Sequence, residues 1–204
     1  MDKVGVFGGT FDPPHLGHVF LAKQAAAEYM LKHVFIVPVN EQPCKQGKEA
    51  APATHRFSMA KLAFEGEANM SVSDIELKKG GVSYTIDTLR EIRERFCGKA
   101  AVAFILGADA FLKIQKWKNS DELLKEFIII VGARPGQRQA GLEEYIRRLA
   151  YSNGARVLIV ENRQIPVSST EIKEMIKSGG EYSRFVPAEV VRYIESNGLY
   201  LGVH

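Results

Sequence analysis

Two histidines three positions apart, His15 and His18, stand where an apolar run gives way to an amphipathic stretch. The run Val4-Gly5-Val6-Phe7 reads as a buried strand, and the residues from His15 to Met30 carry a helical pattern. Between them lies Gly8-Gly9-Thr10-Phe11-Asp12-Pro13-Pro14-His15-Leu16-Gly17-His18. A spacing of three puts both imidazoles on one face of the helix's first turn. There they join backbone N–H groups at the positive end of the helix dipole, where anions bind readily. Gly8 and Gly9 have no Cβ, so the chain turns sharply and a ligand can approach the backbone closely. One histidine at a helix start is usually a surface polar group. Two on one face, after a Gly-Gly turn and a Pro-Pro lead-in, point to a phosphate site.

A second helix start lies far along the chain, in Pro166-Val167-Ser168-Ser169-Thr170-Glu171-Ile172-Lys173. Ser168 or Ser169 suits the cap, and Glu171 falls in the first turn. Taken alone this describes a well-capped surface helix. Lys173 adds a cation able to reach back toward a phosphate at the hydroxyls and N–H groups. Two helix N-termini aimed at one edge would hold a polyphosphate between them.

The elements that must position these groups are legible from periodicity. Strands are predicted at Val4–Phe7, Val34–Val37, Ser71–Ser73, Val102–Leu106, Phe127–Val131 and Arg156–Val160. Helices are predicted at His15–Met30, His55–Phe64, Thr85–Phe96, Ser120–Lys125, Leu142–Tyr151, Ser169–Lys177 and Ala188–Ser196. Strands apolar throughout and separated by helices imply an α/β, doubly wound parallel sheet covered on both faces. Nothing in the pattern divides the chain, so residues 1–204 are read as a single domain. In such sheets ligands bind beyond the carboxyl ends of the strands, where the strand order reverses. Gly8-Gly9, Gly107-Ala108-Asp109, Gly132 to Gly136 and Ser168-Ser169-Thr170 are all expected at that edge.

Composition narrows the partners. Twenty-seven Lys and Arg against 24 Asp and Glu give a net charge of only +3, with no basic footprint for nucleic acid. Cys44 and Cys97 have neither metal-site nor disulfide-framework spacing. The first residues lack the basic and apolar regions of a signal peptide. The longest apolar run, Phe127 to Val131, is too short to span a bilayer. A cytoplasmic protein without membrane or nucleic-acid partners is the expectation, with homo-oligomerisation left open.

The paired segments, Gly-Gly-Thr-Phe-Asp-Pro-Pro-His-Leu-Gly-His and Val-Ser-Ser-Thr-Glu-Ile-Lys, resemble the HxGH and SSTxI(R/K) motifs of the nucleotidyltransferase superfamily. Within it the chain resembles the bacterial nicotinate-nucleotide adenylyltransferases over nearly its whole length. The intermediate landmarks are Pro38 to Lys45, His55-Arg56, Ser83 to Leu89, Gly107-Ala108-Asp109, Trp117 and Arg134-Pro135-Gly136. The resemblance implies a Rossmann-like nucleotidyltransferase fold. It also implies that the phosphate oxygen of nicotinate mononucleotide attacks the α-phosphorus of ATP, giving nicotinate adenine dinucleotide and pyrophosphate. Such a reaction needs positioning and charge stabilisation rather than a covalent nucleophile.

By the same resemblance, His15 and His18 contact the ATP phosphates, and His18 stabilises the transition state. Neighbouring phosphates would favour its protonated ring. Gly8, Gly9, Thr10, Phe11, Lys45, Gly107, Asp109, Arg134, Ser168, Ser169, Thr170 and Lys173 are assigned to ATP. Asn40, Arg56, Ser83, Tyr84, Thr85 and Trp117 are assigned to nicotinate mononucleotide. Trp117 would stack on the pyridine ring, and the Thr85 hydroxyl would receive the carboxylate, with Ser83 capping that helix. Mg²⁺ is expected to arrive with ATP, held by phosphates and water rather than by a protein cage. Three residues depart from the usual pattern: Cys44 for histidine, Lys173 for arginine and Lys118 for an aromatic. The stretch from Asn40 to Thr54 is long for a compact α/β unit and is expected to order over bound nucleotide.

Three other readings meet the pattern only in part. A transferase acting on phosphopantetheine would share the two motifs, but would lack a role for Ser83-Tyr84-Thr85 and Trp117. A nucleotide-binding sensor without turnover would have no need of intact His15, His18, Lys45 and Ser169. A dinucleotide-dependent oxidoreductase would need Gly-x-Gly-x-x-Gly, which Gly8 to Pro13 does not supply.

Overall fold

A computed structural model describes residues 2–41, 50–133, 140–161 and 167–201. Six strands form one parallel sheet: β1 (Lys3–Gly9), β2 (Leu31–Pro38), β3 (Met70–Val72), β4 (Ala101–Gly107), β5 (Ile128–Ala133) and β6 (Arg156–Glu161). Their spatial order is β3-β2-β1-β4-β5-β6. β1 therefore has β2 on one side and β4 on the other, with Phe7 opposite Ile36 and Ile105. The order reverses at β1, so its carboxyl end opens the crevice where such sheets receive ligands.

The helices follow from burying both faces of that sheet. α1 (Leu16–Glu28), α2 (Ala53–Ala63), α8 (Ser169–Lys177) and α9 (Ala188–Ser196) cover one face. α3 (Ile75–Lys79), α4 (Thr85–Ile92), α5 (Ala108–Phe111), α6 (Ser120–Glu126) and α7 (Ala140–Asn153) cover the other. The strands sort their side chains between the two layers by simple alternation. Ala103 and Ile105 face the α1 side, whereas Val102, Phe104 and Leu106 face the α4 side. Strands buried on both faces read as continuous apolar runs, which is why periodicity located the central strands.

Three local features were not expected. α3 and α5 are short helices in stretches too brief to show a period. The helix expected to run to Phe96 is α-helical only to Ile92, and Arg93–Cys97 forms a π-helical turn. α4 is held to α6 by Arg90, which pairs with Glu122 and Glu126, and Arg93, which pairs with Glu126. No described helix is long and apolar enough to cross a membrane.

α1 lies so close to β5 that a Cβ on Gly132 would sit 2.5 Å from Leu21 Cδ2. Leu21 is itself buried. Gly132→Val is therefore expected to lower the unfolding free energy by about 1–3 kcal/mol through overpacking, measured by urea denaturation. An unchanged midpoint would show that α1 can move away without cost.

Candidate active site

The turn after β1 is built from packed aromatic rings. Phe11 is buried, with a left-handed backbone at φ +50°. Its ring meets Phe7 edge-on at 5.3 Å, His18 at 5.1 Å and Phe64 at 6.3 Å. A Cβ on Gly9 would lie 3.1 Å from the Phe11 ring, and one on Gly8 would lie 3.0 Å from Phe104. These glycines make room for neighbouring aromatics, where the sequence suggested room for a ligand. Gly107 differs: nothing lies within 4 Å of where its Cβ would be.

His15 is the N-cap of α1, with extended backbone, and His18 is the third residue of the helix. Their rings stack 3.8 Å apart at 33°. The His15 backbone N–H donates to His18 Nδ1 at 3.2 Å. A neutral ring accepting there carries its proton on Nε2. The protonated ring expected from the sequence would require this bond to break, because its Nδ1 becomes a donor.

α8 sits directly on this turn. Ser168 is its N-cap, and the Ser168 hydroxyl accepts from the Glu171 N–H at 3.2 Å and donates to Glu171 Oε2 at 2.6 Å. The Ser168 N–H also donates to Glu171, closing a reciprocal cap. The Ser169 hydroxyl donates to the Pro13 carbonyl at 2.9 Å. Lys173 Nζ lies 2.8 Å from Asp12 Oδ2, the carboxylate being buried. Thr170 is exposed. Ser169 and Lys173, expected on phosphate, thus hold the two motifs together, while Ser168 caps α8.

Two buried charges organise the rest. Asp12 Oδ1 accepts from the Tyr200 hydroxyl at 2.7 Å and from the Ala51 N–H at 3.1 Å. Burial and the neighbouring Asp12 carboxylate push Tyr200 well above the ordinary tyrosine range. Arg56, also buried, donates to four carbonyls: Ala51 at 2.9 Å, Thr10 at 2.9 Å, Val39 at 2.6 Å and Asn40 at 2.8 Å. Burial lowers its proton affinity, and the charges of Asp12 and Glu76 act the other way. Four of its five N–H donors are committed to backbone. The direct mononucleotide contact expected of Arg56 is replaced here by a clamp on the ends of β1 and β2.

The other expected residues form a neighbouring group. Asn40 donates from Nδ2 to the Gly81 carbonyl at 2.9 Å and from its N–H to Glu76 at 3.3 Å. Glu76 is buried and accepts from Thr88 Oγ1 at 2.7 Å. The Ser83 N–H donates to Glu41, tying the approach to α4 against the end of β2. Ser83 does not cap α4: Tyr84 occupies the N-cap position, and its side chain makes no cap hydrogen bond. Thr85 opens the helix, half-buried. Lys118 Nζ lies 4.1 Å over the Tyr84 ring and 3.4 Å from Asp87. Trp117, half-buried, meets Phe104 edge-on at 6.1 Å. Gly107 is the N-cap of α5, and Asp109 is an exposed first-turn residue of that helix rather than its cap.

Lys45 and Arg134 lie outside the described residues, as do Cys44 and the middle of the stretch expected to order over nucleotide. Among the described residues, no group of three or more His, Cys, Asp and Glu is placed to hold a metal ion. The one carboxylate in the turn, Asp12, is taken by Lys173, Tyr200 and the Ala51 N–H, so it does not suit a fixed cation site. Sequence reasoning assigned no role to Asp12, Glu76 or Tyr200. Asp12 was visible inside the motif. Glu76 and Tyr200 carry no local signal.

Comparison with known proteins agrees with this architecture. Residues 6–175 match the cytidylyltransferase-like family model. A probable nicotinate-nucleotide adenylyltransferase of Moorella thermoacetica is 37% identical over 97% of this chain and 91% of its own length. One from Thermoanaerobacter is 35% identical over 97% and 94%. Among solved structures, a Plasmodium falciparum nicotinic acid mononucleotide adenylyltransferase complexed with NaAD superposes with a TM-score of 0.80. It covers 98% of both chains at 18% identity, a likeness of fold.

Arg56→Lys keeps the charge but cannot reach four carbonyls. It is expected to lower the unfolding free energy by about 2–4 kcal/mol, since buried carbonyls lose their donors. Urea denaturation measures this, and a change within experimental error would remove the clamp.

Proposed function

This chain belongs to the cytidylyltransferase-like family and, within it, to the nicotinate-nucleotide adenylyltransferases, and on that premise we propose how its own residues transfer the adenylyl group of ATP to nicotinate mononucleotide. The products are nicotinate adenine dinucleotide and pyrophosphate. The observation that carries the reading is the meeting of the two phosphate motifs at the reversal point of the sheet, where Ser169 reaches Pro13 and Lys173 reaches Asp12.

The phosphate oxygen of the mononucleotide attacks the α-phosphorus of ATP in line, and the bond to the bridging oxygen of pyrophosphate breaks. Negative charge grows on the non-bridging and leaving oxygens. His18 donates from Nε2 to that charge, with Nδ1 held by the His15 N–H. Lys173 exchanges Asp12 for a phosphate oxygen, and the start of α8 adds backbone N–H groups. Lys45 and Arg134 share the charge. Gly107 and Asp109 lie at the carboxyl edge of β4, where the open space beside Gly107 suits the nucleoside of ATP. Mg²⁺ enters as part of the ATP substrate and neutralises its phosphates.

The mononucleotide lies on the α4 side of the crevice, where Trp117 and α4 pack on the same layer as Phe104. Trp117 offers its ring to the pyridine, and Thr85 with the start of α4 receives the carboxylate. Lys118, already over Tyr84, brings a cation to the same neighbourhood.

A pyrophosphate-release assay with ATP and nicotinate mononucleotide, nicotinamide mononucleotide or phosphopantetheine tests the assignment. Release with nicotinate mononucleotide is expected, and none with either pyridine nucleotide would overturn it. His18→Ala is expected to lower kcat at least about 100-fold, as for loss of one transition-state donor. A change confined to KM would limit His18 to ground-state binding. Trp117→Ala is expected to raise KM for the mononucleotide with ATP binding nearly intact. Equal losses for both substrates would place Trp117 in the scaffold.

A further inference from the structure

Tyr200 reaches Asp12 across nearly the whole chain. Its hydroxyl lies 2.7 Å from Asp12 Oδ1, and the Lys173 ammonium lies 5.9 Å from its ring centroid. Tyr200 has φ +65°, in the left-handed region that a bulky residue rarely adopts. Phe11, immediately before Asp12, has φ +50°. Two strained residues therefore meet at one buried carboxylate, and such strain persists where the surroundings over-determine it.

The carboxylate's partners divide by oxygen. Oδ2 faces Lys173, while Oδ1 accepts from the Tyr200 hydroxyl and the Ala51 N–H. Only the Lys173 partner is carried on a long flexible side chain, and only it bears a charge. If Lys173 leaves for a phosphate, the buried carboxylate loses its direct ion-pair partner. A buried anion stripped of its partner is strongly unfavourable unless hydrogen bonds remain to hold it. The two donors on Oδ1 supply that support and do not depend on Lys173.

We propose that Tyr200 is a positioning residue for adenylyl transfer: by holding the Asp12 carboxylate, it frees Lys173 to move from Asp12 to the phosphates of ATP. The inference rests on the reading of Lys173 as a phosphate ligand. Without the hydroxyl, Asp12 depends more on Lys173 and retains it against the incoming nucleotide. Tyr200 never touches the substrate in this scheme. It acts through the lysine.

Tyr200→Phe removes one hydroxyl and keeps the ring, so the fold is expected to survive, as circular dichroism can verify. ATP affinity by calorimetry and steady-state kinetics are then compared in wild type, Tyr200→Phe, Lys173→Met and the double variant. Tyr200→Phe is expected to weaken ATP about five- to tenfold, the scale of one hydrogen bond to a charged group. KM for the mononucleotide should stay within about twofold, a change near the scatter of independent sites. In the Lys173→Met background the same substitution should have no further effect on ATP. An equal effect in that background, or a lower melting temperature with unchanged ATP affinity, would overturn the inference and leave Tyr200 a packing residue. If Lys173→Met alone leaves ATP affinity unchanged, the phosphate-ligand reading fails first. That outcome is distinct from a failure at Tyr200.

Discussion

A carboxylate buried at the end of a central strand must be compensated where it stands, since little water reaches it. Asp12 is such a group, placed just beyond β1 by a backbone turn that leaves Phe11 at positive φ. Its donors come from Ala51 before α2, Lys173 in α8 and Tyr200 after α9. Each segment must return to the same point for the charge to be tolerated. That requirement sets α8 against the turn, with the Ser169 hydroxyl on Pro13.

Arg56 answers the same problem with the opposite sign. Its guanidinium is enclosed by carbonyls at the ends of β1 and β2 and by Ala51. Ala51 is held twice, through its carbonyl by Arg56 and through its N–H by Asp12. The edge of the crevice is therefore fixed by hydrogen bonds to buried charges, which are stronger and more directional than those between neutral groups. A rigid edge suits a reaction whose catalysis is positioning plus electrostatic stabilisation, because donors already in place need no reorganisation as charge develops. The aromatic cluster of Phe7, Phe11, Phe64 and His18 supplies the matching rigidity beneath the histidines.

The sheet was legible because its central strands are short and buried on both faces, so they gave apolar runs between helical stretches, with the edge strand near Ser71–Ser73 placed by its position between helices. Glycine turns and hydroxyl-rich helix starts at the ends of those runs marked the crevice edge. Side-chain commitments were not legible. His55-Arg56 sits on a helix that reads as ordinary, yet Arg56 spends four of its five N–H donors on carbonyls of Ala51 just before the helix and of Thr10, Val39 and Asn40 at the ends of β1 and β2. Ser83 is a good cap by type, but the helix starts one residue later, so Tyr84 holds that position. Glu76 stands in a Lys-containing stretch and gives no sign of being buried beneath Thr88 and Asn40.

The sequence by itself determined the order of the strands and longer helices, the parallel sheet, the two paired helix-start motifs and the family, because these depend on local pattern and fixed spacing. Which polar groups remain available to a ligand was decided only by tertiary structure. A hydroxyl or ammonium has the same character in any sequence, and its partner is whatever the fold brings within about 3 Å. Asp12 and Tyr200 are separated by almost the full chain, so no local signal could pair them. The fold of the C-terminal segment back onto the turn after β1 brings them together, and the cost of leaving a buried carboxylate unpartnered holds them there.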